Sequence, residues 1–160
     1  MASIARSAAP WVELITAESA ESRFVRYRRL IRFPQLTMPL LAAYTPAHWR
    51  VTHTDEIVQP VRFDLPFSLV AITANTPAAP HAYGLAAEYR RRGIPVVIGG
   101  PHATLLPEEV ACHADAVVVG EGERSWPRLL GDYEKGRLEK FYRCEELPDL
   151  REMPAPRWDL

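Results

Sequence analysis

The sequence has little cysteine, no excess of basic charge and no long apolar run, and each shortage excludes a class of protein. Among 160 residues only Cys112 and Cys144 carry thiols. They form no CxxC pair, so neither a thioredoxin-type redox site nor a zinc knuckle is supported, and two isolated thiols are expected. Lys and Arg number 19 against 20 Asp and Glu, a net charge of −1. A general nucleic-acid binder carries a large basic excess, so no nucleic-acid partner is expected. No apolar run approaches the ~20 residues that cross a bilayer. Met1 to Pro10 holds no continuous apolar core of signal-peptide type, and a cytoplasmic protein without a membrane span is the expectation. A G-x-S-x-G elbow and a P-loop are also missing. His48, His53, His81, His102 and His113 show no metal-ligand spacing such as HxxxH with a third ligand.

What is there reads as one ordinary globular domain, with 48% hydrophobic and 24% charged residues and fifteen prolines placed mostly in loops. Three apolar runs stand out: Ser68 to Ala74, Pro95 to Gly100 and Ala116 to Gly120. Each is rich in Val or Ile and continuous rather than alternating, which predicts strands buried on both faces of a parallel sheet. Trp11 to Ala17 and the more polar Arg50 to Glu56 supply two further strands, the latter nearer an edge. Helices are expected at Gln35 to Tyr44, Pro80 to Arg92, Leu106 to His113 and Ser125 to Glu134. Pro80 suits a helix start, Arg90 to Arg92 complement a helix end before Gly93, and Ser125 is the expected N-cap of the last helix. The alternation predicts an α/β sandwich, a flavodoxin-like doubly wound fold with a five-stranded parallel sheet and helices on both faces. Residues 1–10 read as a flexible N-terminus and 11–143 as the domain. Residues 144–160, with three prolines, many charges and no periodicity, read as a linker.

Open parallel sheets bind ligands at the carboxyl ends of their strands. Here that rim holds Thr73, Asn75 and Thr76, then Gly99-Gly100 with His102 and Thr104, then Gly120-Glu121-Gly122. Paired glycines admit positive φ and a close approach of a flat ligand; they also make a tight turn. The hydroxyls and amide after the third run either cap a helix or hold a polar ligand. A basic run, Arg23, Arg26, Arg28, Arg29 and Arg32, reads as solvated surface.

The strings AYGLAAEYRRRGIPVVIGGPHATLLPEE and HADAVVVGEGERSWPRLLGDYEKG, preceded by FPQLTMPLLAAYTP and FDLPFSLVAITANT, resemble the N-terminal cobalamin-binding domain of cobalamin-dependent radical SAM proteins. The resemblance covers residues 11 to 143, and PAPRWDL is similar to the segment that leads into their radical SAM barrel. It implies a metal-bearing corrinoid, cobalamin, on the carboxyl rim. The implied contacts are Thr73, Asn75, Thr76, Gly99, Gly100, His102, Thr104, Gly120, Glu121 and Gly122. It further implies a methyltransferase-like radical SAM enzyme with the missing radical SAM domain as partner. S-adenosylmethionine and the [4Fe–4S] cluster belong there, because this chain lacks the C-x-x-x-C-x-x-C that holds such a cluster. As it stands the fragment is not catalytic. Related corrinoid domains carry D-x-H-x-x-G after the first strand, and this chain has no His between Trp11 and Ala47. No axial His is therefore expected from that loop, and His102 stands as an alternative ligand. The competing reading is the same fold without cobalamin, a domain that shapes the substrate channel of a radical SAM protein.

Overall fold

A computed structural model describes residues 9–19, 35–144 and 148–160. A parallel sheet of six strands in the order β2-β1-β3-β4-β5-β6 forms the centre. Its strands are β1 (Trp11–Thr16), β2 (Arg50–Asp55), β3 (Leu69–Thr73), β4 (Val96–Gly99), β5 (Ala116–Val119) and β6 (Phe141–Arg143). On one face lie helices α1 (Thr37–Tyr44) and α5 (Gly122–Glu134). On the other lie α2 (Ala79–Arg91), the short α3 (Pro101–Leu105) and α4 (Pro107–Ala111).

The continuous apolarity of the central strands has the expected cause. Along β3 all five side chains are buried; Leu69 and Ala71 enter the core under α1 and α5, while Val70 and Ile72 enter the core under α2. β5 divides the same way, with Ala116 and Val118 on one side and Val117 on the other. Burying both faces removes the polar alternation that a half-exposed strand shows. β2 lies at one edge, as its polarity suggested.

Three expectations need correction. The sheet has six strands, not five: β6 pairs parallel with β5, Val118 beside Tyr142. Tyr142 is fully buried, and its hydroxyl accepts from the Glu139 amide at 2.9 Å. The expected helix over Leu106 to His113 is present but shorter, Pro107–Ala111, and a further short helix, Pro101–Leu105, precedes it; the two break at Leu106, where φ is −131° and ψ 57°. Pro107 has no N–H and crowds the residue before it out of the helical region. Ser125 does not cap α5; the helix begins three residues earlier, at Gly122, after Gly120 turns the chain with φ +78°. Ser125 lies inside the helix, buried, and its Oγ has no hydrogen-bond partner among the described residues.

Pro39 and the arginines that end α2 behave as their chemistry asks, whereas Pro127 lies inside α5. Pro39 sits in the first turn of α1, where no intrahelical N–H bond is lost. Arg91 and Arg92 hold Glu88, and Arg90 holds Asp115 at 3.1 Å. The basic run from Arg23 to Arg32 lies outside the described residues. So does most of the loop in which an axial His was not expected. The part of the C-terminal segment from 148 onward contains a short 3-10 turn, Leu150–Glu152. It lies back against α1, where the Arg157 amide donates to the Pro39 carbonyl at 3.0 Å.

Candidate functional site

A cavity of about 600 Å³ opens where β3, β4 and β5 end, between α1 and the N-terminus of α5. Its floor is the sheet itself, at Ala71, Val97 and Val118. Leu36, Leu41 and Trp126 supply apolar walls, and Met153 from the C-terminal segment closes one side. The two helices are fixed to each other. Trp126 Nε1 donates to Thr45 Oγ1 at 2.9 Å, and that hydroxyl donates to the Leu41 carbonyl at 2.8 Å.

The rim above this floor is built around glycine. Gly100 has φ +95°, and a Cβ there would lie 2.4 Å from Thr73 Oγ1 and 3.1 Å from the Ala74 carbonyl. Only glycine fits both the backbone angle and the space. Gly122 starts α5 against α1, where a Cβ would come within 3.0 Å of Leu41 Cδ2. Thr104 ties the two glycine loops together. Its Oγ1 donates to the Gly100 carbonyl at 3.0 Å and accepts from the Gly120 amide at 3.0 Å.

Thr73, Gly99, Gly100, Thr104, Gly120, Glu121 and Gly122 therefore all face one cavity. Asn75, Thr76 and His102 do not line it. The Asn75 side chain caps the turn after β3, accepting from the Ala78 amide at 3.1 Å. Thr76 is exposed and opens the 3-10 turn after β3, and its hydroxyl lies 3.2 Å from His102 Nδ1. His102 is 4% exposed and points to the α2 side of the sheet, with Nε2 2.9 Å from the Tyr83 hydroxyl. Both ring nitrogens have partners within the protein, which leaves neither directed at the cavity. His81 pairs with Glu56 at 2.9 Å. The His113 ring stacks on Tyr83 at 3.9 Å.

The sequence reading missed the walls: Leu36, Leu41, Trp126 and Met153. In the sequence Trp126 falls on one apolar stripe with Leu129, Leu130 and Tyr133, a pattern any core helix shows. Met153 had no signal at all, since its segment carries no periodicity.

Comparison with known proteins agrees with this geometry. The family described as B12 binding domain matches residues 36–130. The chain is 36% identical over 117 residues to the bacteriochlorophyllide d C-8(2)-methyltransferase of Chlorobaculum tepidum, covering 72% of this chain and 26% of that protein. It is 33% identical over 90 residues to the C-12(1)-methyltransferase of the same organism, covering 56% of this chain and 20% of that one. Among solved structures it is similar to the radical S-adenosylmethionine methyltransferase TsrM from Kitasatospora setae. That similarity has a TM-score of 0.58 and 18% identity, and spans 90% of this chain and 27% of that one. The TsrM likeness speaks for the fold. The chain spans about a quarter of the length of the first of these relatives. No helix among the described residues is long and apolar enough to cross a membrane. The resemblance drawn from the strings around Gly99-Gly100 and Gly120-Glu121-Gly122 is borne out: the chain belongs to the B12-binding domain family.

Proposed function

We propose that this chain binds cobalamin on the carboxyl rim of its sheet and presents it to a radical SAM domain of the same protein, in a methyltransferase-like reaction. The observation that carries the reading is the cavity between α1 and α5, floored by β3 to β5 and edged by Gly100, Gly120 and Gly122. A corrinoid is broad, flat and fringed with amides. It needs an apolar slot for its nucleotide tail and a rim free of side chains. The cavity volume falls within the range of about 300–1,000 Å³ usual for small-ligand sites. A Cβ at Gly100 or Gly122 would intrude on the rim or its flanking helix.

When bound, cobalamin supplies a cobalt-borne methyl group; the chain's own residues bind, orient and shield it. Leu36, Leu41, Trp126 and Met153 keep water from the slot. Thr73 and Thr104 offer hydroxyls, and the glycines offer bare backbone. Glu121, exposed at the start of α5, faces either the cofactor edge or the neighbouring domain. S-adenosylmethionine and an iron–sulfur cluster are assigned to that other domain.

The test is direct. Purified protein mixed with hydroxocobalamin and desalted is expected to keep a corrinoid absorption band in about equimolar amount. A folded protein that keeps none overturns the reading and leaves a corrinoid-type fold that serves only to contact the neighbouring domain.

A further inference from the structure

Glu123 lines the cavity from the first turn of α5, one residue past the glycine that seats α5 against Leu41 of α1. Its Oε2 is buried and has no hydrogen-bond partner among the described residues. Thr104, on the same cavity, already uses its hydroxyl as donor to the Gly100 carbonyl and as acceptor from the Gly120 amide. A buried acceptor left unpaired destabilises a folded chain, so such an atom needs a reason. A negative charge in the first turn complements the helix dipole. That accounts for a solvated carboxylate as well as for a buried one, and leaves the desolvated oxygen unexplained.

The chemistry of the acceptor fixes that of its partner. At neutral pH an ordinary glutamate is a carboxylate, which accepts hydrogen bonds and donates none. The group it meets therefore carries an O–H or N–H. Burial pushes the Tyr44 phenol up, and the Glu123 and Glu152 charges add to this. Two carboxylates near one phenol make this end of the cavity hostile to an anion and open to an uncharged donor. A corrinoid offers donors of that kind as hydroxyls on its nucleotide sugar and as primary carboxamides around its ring.

We propose that Glu123 is a further cofactor-binding residue, whose Oε2 accepts a hydrogen bond from an uncharged hydroxyl or carboxamide of the bound corrinoid. This rests on the corrinoid reading above and adds to it a residue and the class of group that residue holds.

The test compares the dissociation constant for hydroxocobalamin with the urea midpoint of the ligand-free protein. Glu123→Ala is expected to weaken binding about ten- to hundredfold, the effect of one hydrogen bond to a charged group. Its ligand-free midpoint is expected to stay level or rise, because an acceptor without a partner has been removed. Glu123→Asp keeps the charge at the helix start and draws the oxygens back by one methylene. It is expected to lose about fivefold or more in affinity. An unchanged constant in Glu123→Ala overturns the proposal. Parent-like binding by Glu123→Asp overturns it as well, since that marks a charge at a helix end and no contact. A ligand-free Glu123→Ala protein that is less stable, or does not fold, overturns it too, since the oxygen was then already partnered. Carbon-13 NMR that finds a proton on the Glu123 carboxyl at pH 7 overturns it without any cofactor.

Aquahydroxocobinamide, which has the corrin ring and its carboxamides but no nucleotide, sorts the donor. A Glu123→Ala loss with both corrinoids assigns a carboxamide; a loss with hydroxocobalamin alone assigns the sugar hydroxyl. A parent protein that binds neither corrinoid fails on the corrinoid reading. A parent that binds hydroxocobalamin, with Glu123→Ala binding as well, fails on this inference alone.

Discussion

The hydroxyl of Thr104 lies 3.0 Å from the amide of Gly120, sixteen residues later in the chain. Because the same oxygen donates to the Gly100 carbonyl, one side chain spans the loops after β4 and β5. Thr104→Val keeps the shape and removes both bonds. Cobalamin retention is expected to fall, and the urea midpoint to drop by an amount equal to about 1 kcal/mol, since the freed groups are exposed and water replaces the partner. Equilibrium unfolding and a hydroxocobalamin titration check the two parts.

Glycine substitutions should separate rim from helix. Gly100→Ala forces a side chain into positive φ, 2.4 Å from Thr73 Oγ1. It is expected to cost about 2 kcal/mol or more, from backbone strain alone before the clash is counted. Gly84→Ala, within α2 and with nothing within 4 Å of the new methyl, is expected to stabilise by about 0.5–1 kcal/mol. Urea denaturation of the two variants should show opposite signs.

The same contrast explains what could be read in advance. β3, β4 and β5 announce themselves because burial on both faces demands unbroken Val, Ile and Ala. β6 has three residues, bounded by Lys140 and ending in Arg143, and its one deeply buried side chain, Tyr142, is too little for a pattern. That Thr73, Gly99, Gly100, Thr104 and Gly120 line one cavity was legible because strand ends in a parallel sheet share one rim. His102 and Thr76 shared the expected stretch of chain, yet His102 turns to the opposite side of the sheet. Spacing cannot tell which way a side chain leaves a loop that passes through Gly100 at φ +95°. Ser125-Trp126-Pro127 imitates a helix start, but the turn at Gly120 had already begun α5.

Filling the cavity tests whether its volume is used. Ala71 of β3 is 4% exposed and forms part of the floor. Ala71→Leu projects its added carbons into the slot. Hydroxocobalamin affinity is expected to fall by tenfold or more on the order-of-magnitude scale of an overpacked site, while the thermal midpoint changes little because the space is already open. A titration beside a melting curve reads both.

Glu13 sets a pH dependence that is independent of the site. Its side chain, 3% exposed, accepts from the hydroxyls of Thr52 and Thr54. Burial pushes its carboxyl above the ordinary value of 4.5, and those two hydroxyls and the Arg62 charge offset this only in part. The folded state thus holds the proton more tightly than the unfolded chain. Its contribution to stability is complete below about pH 4.5 and is lost as pH rises through the folded value. Glu13→Gln is expected to flatten that decline, seen as urea midpoints measured at intervals from pH 4 to 7.

Met153 and Leu41 line the same slot from two different stretches of chain, and the Arg157 amide holds the later stretch to Pro39. Peeling that stretch away deletes a wall. Where a guest binds more tightly with the wall in place, reciprocity requires the guest to clamp the stretch by the same factor. Loading of the slot and the posture of the outgoing polypeptide then form one equilibrium.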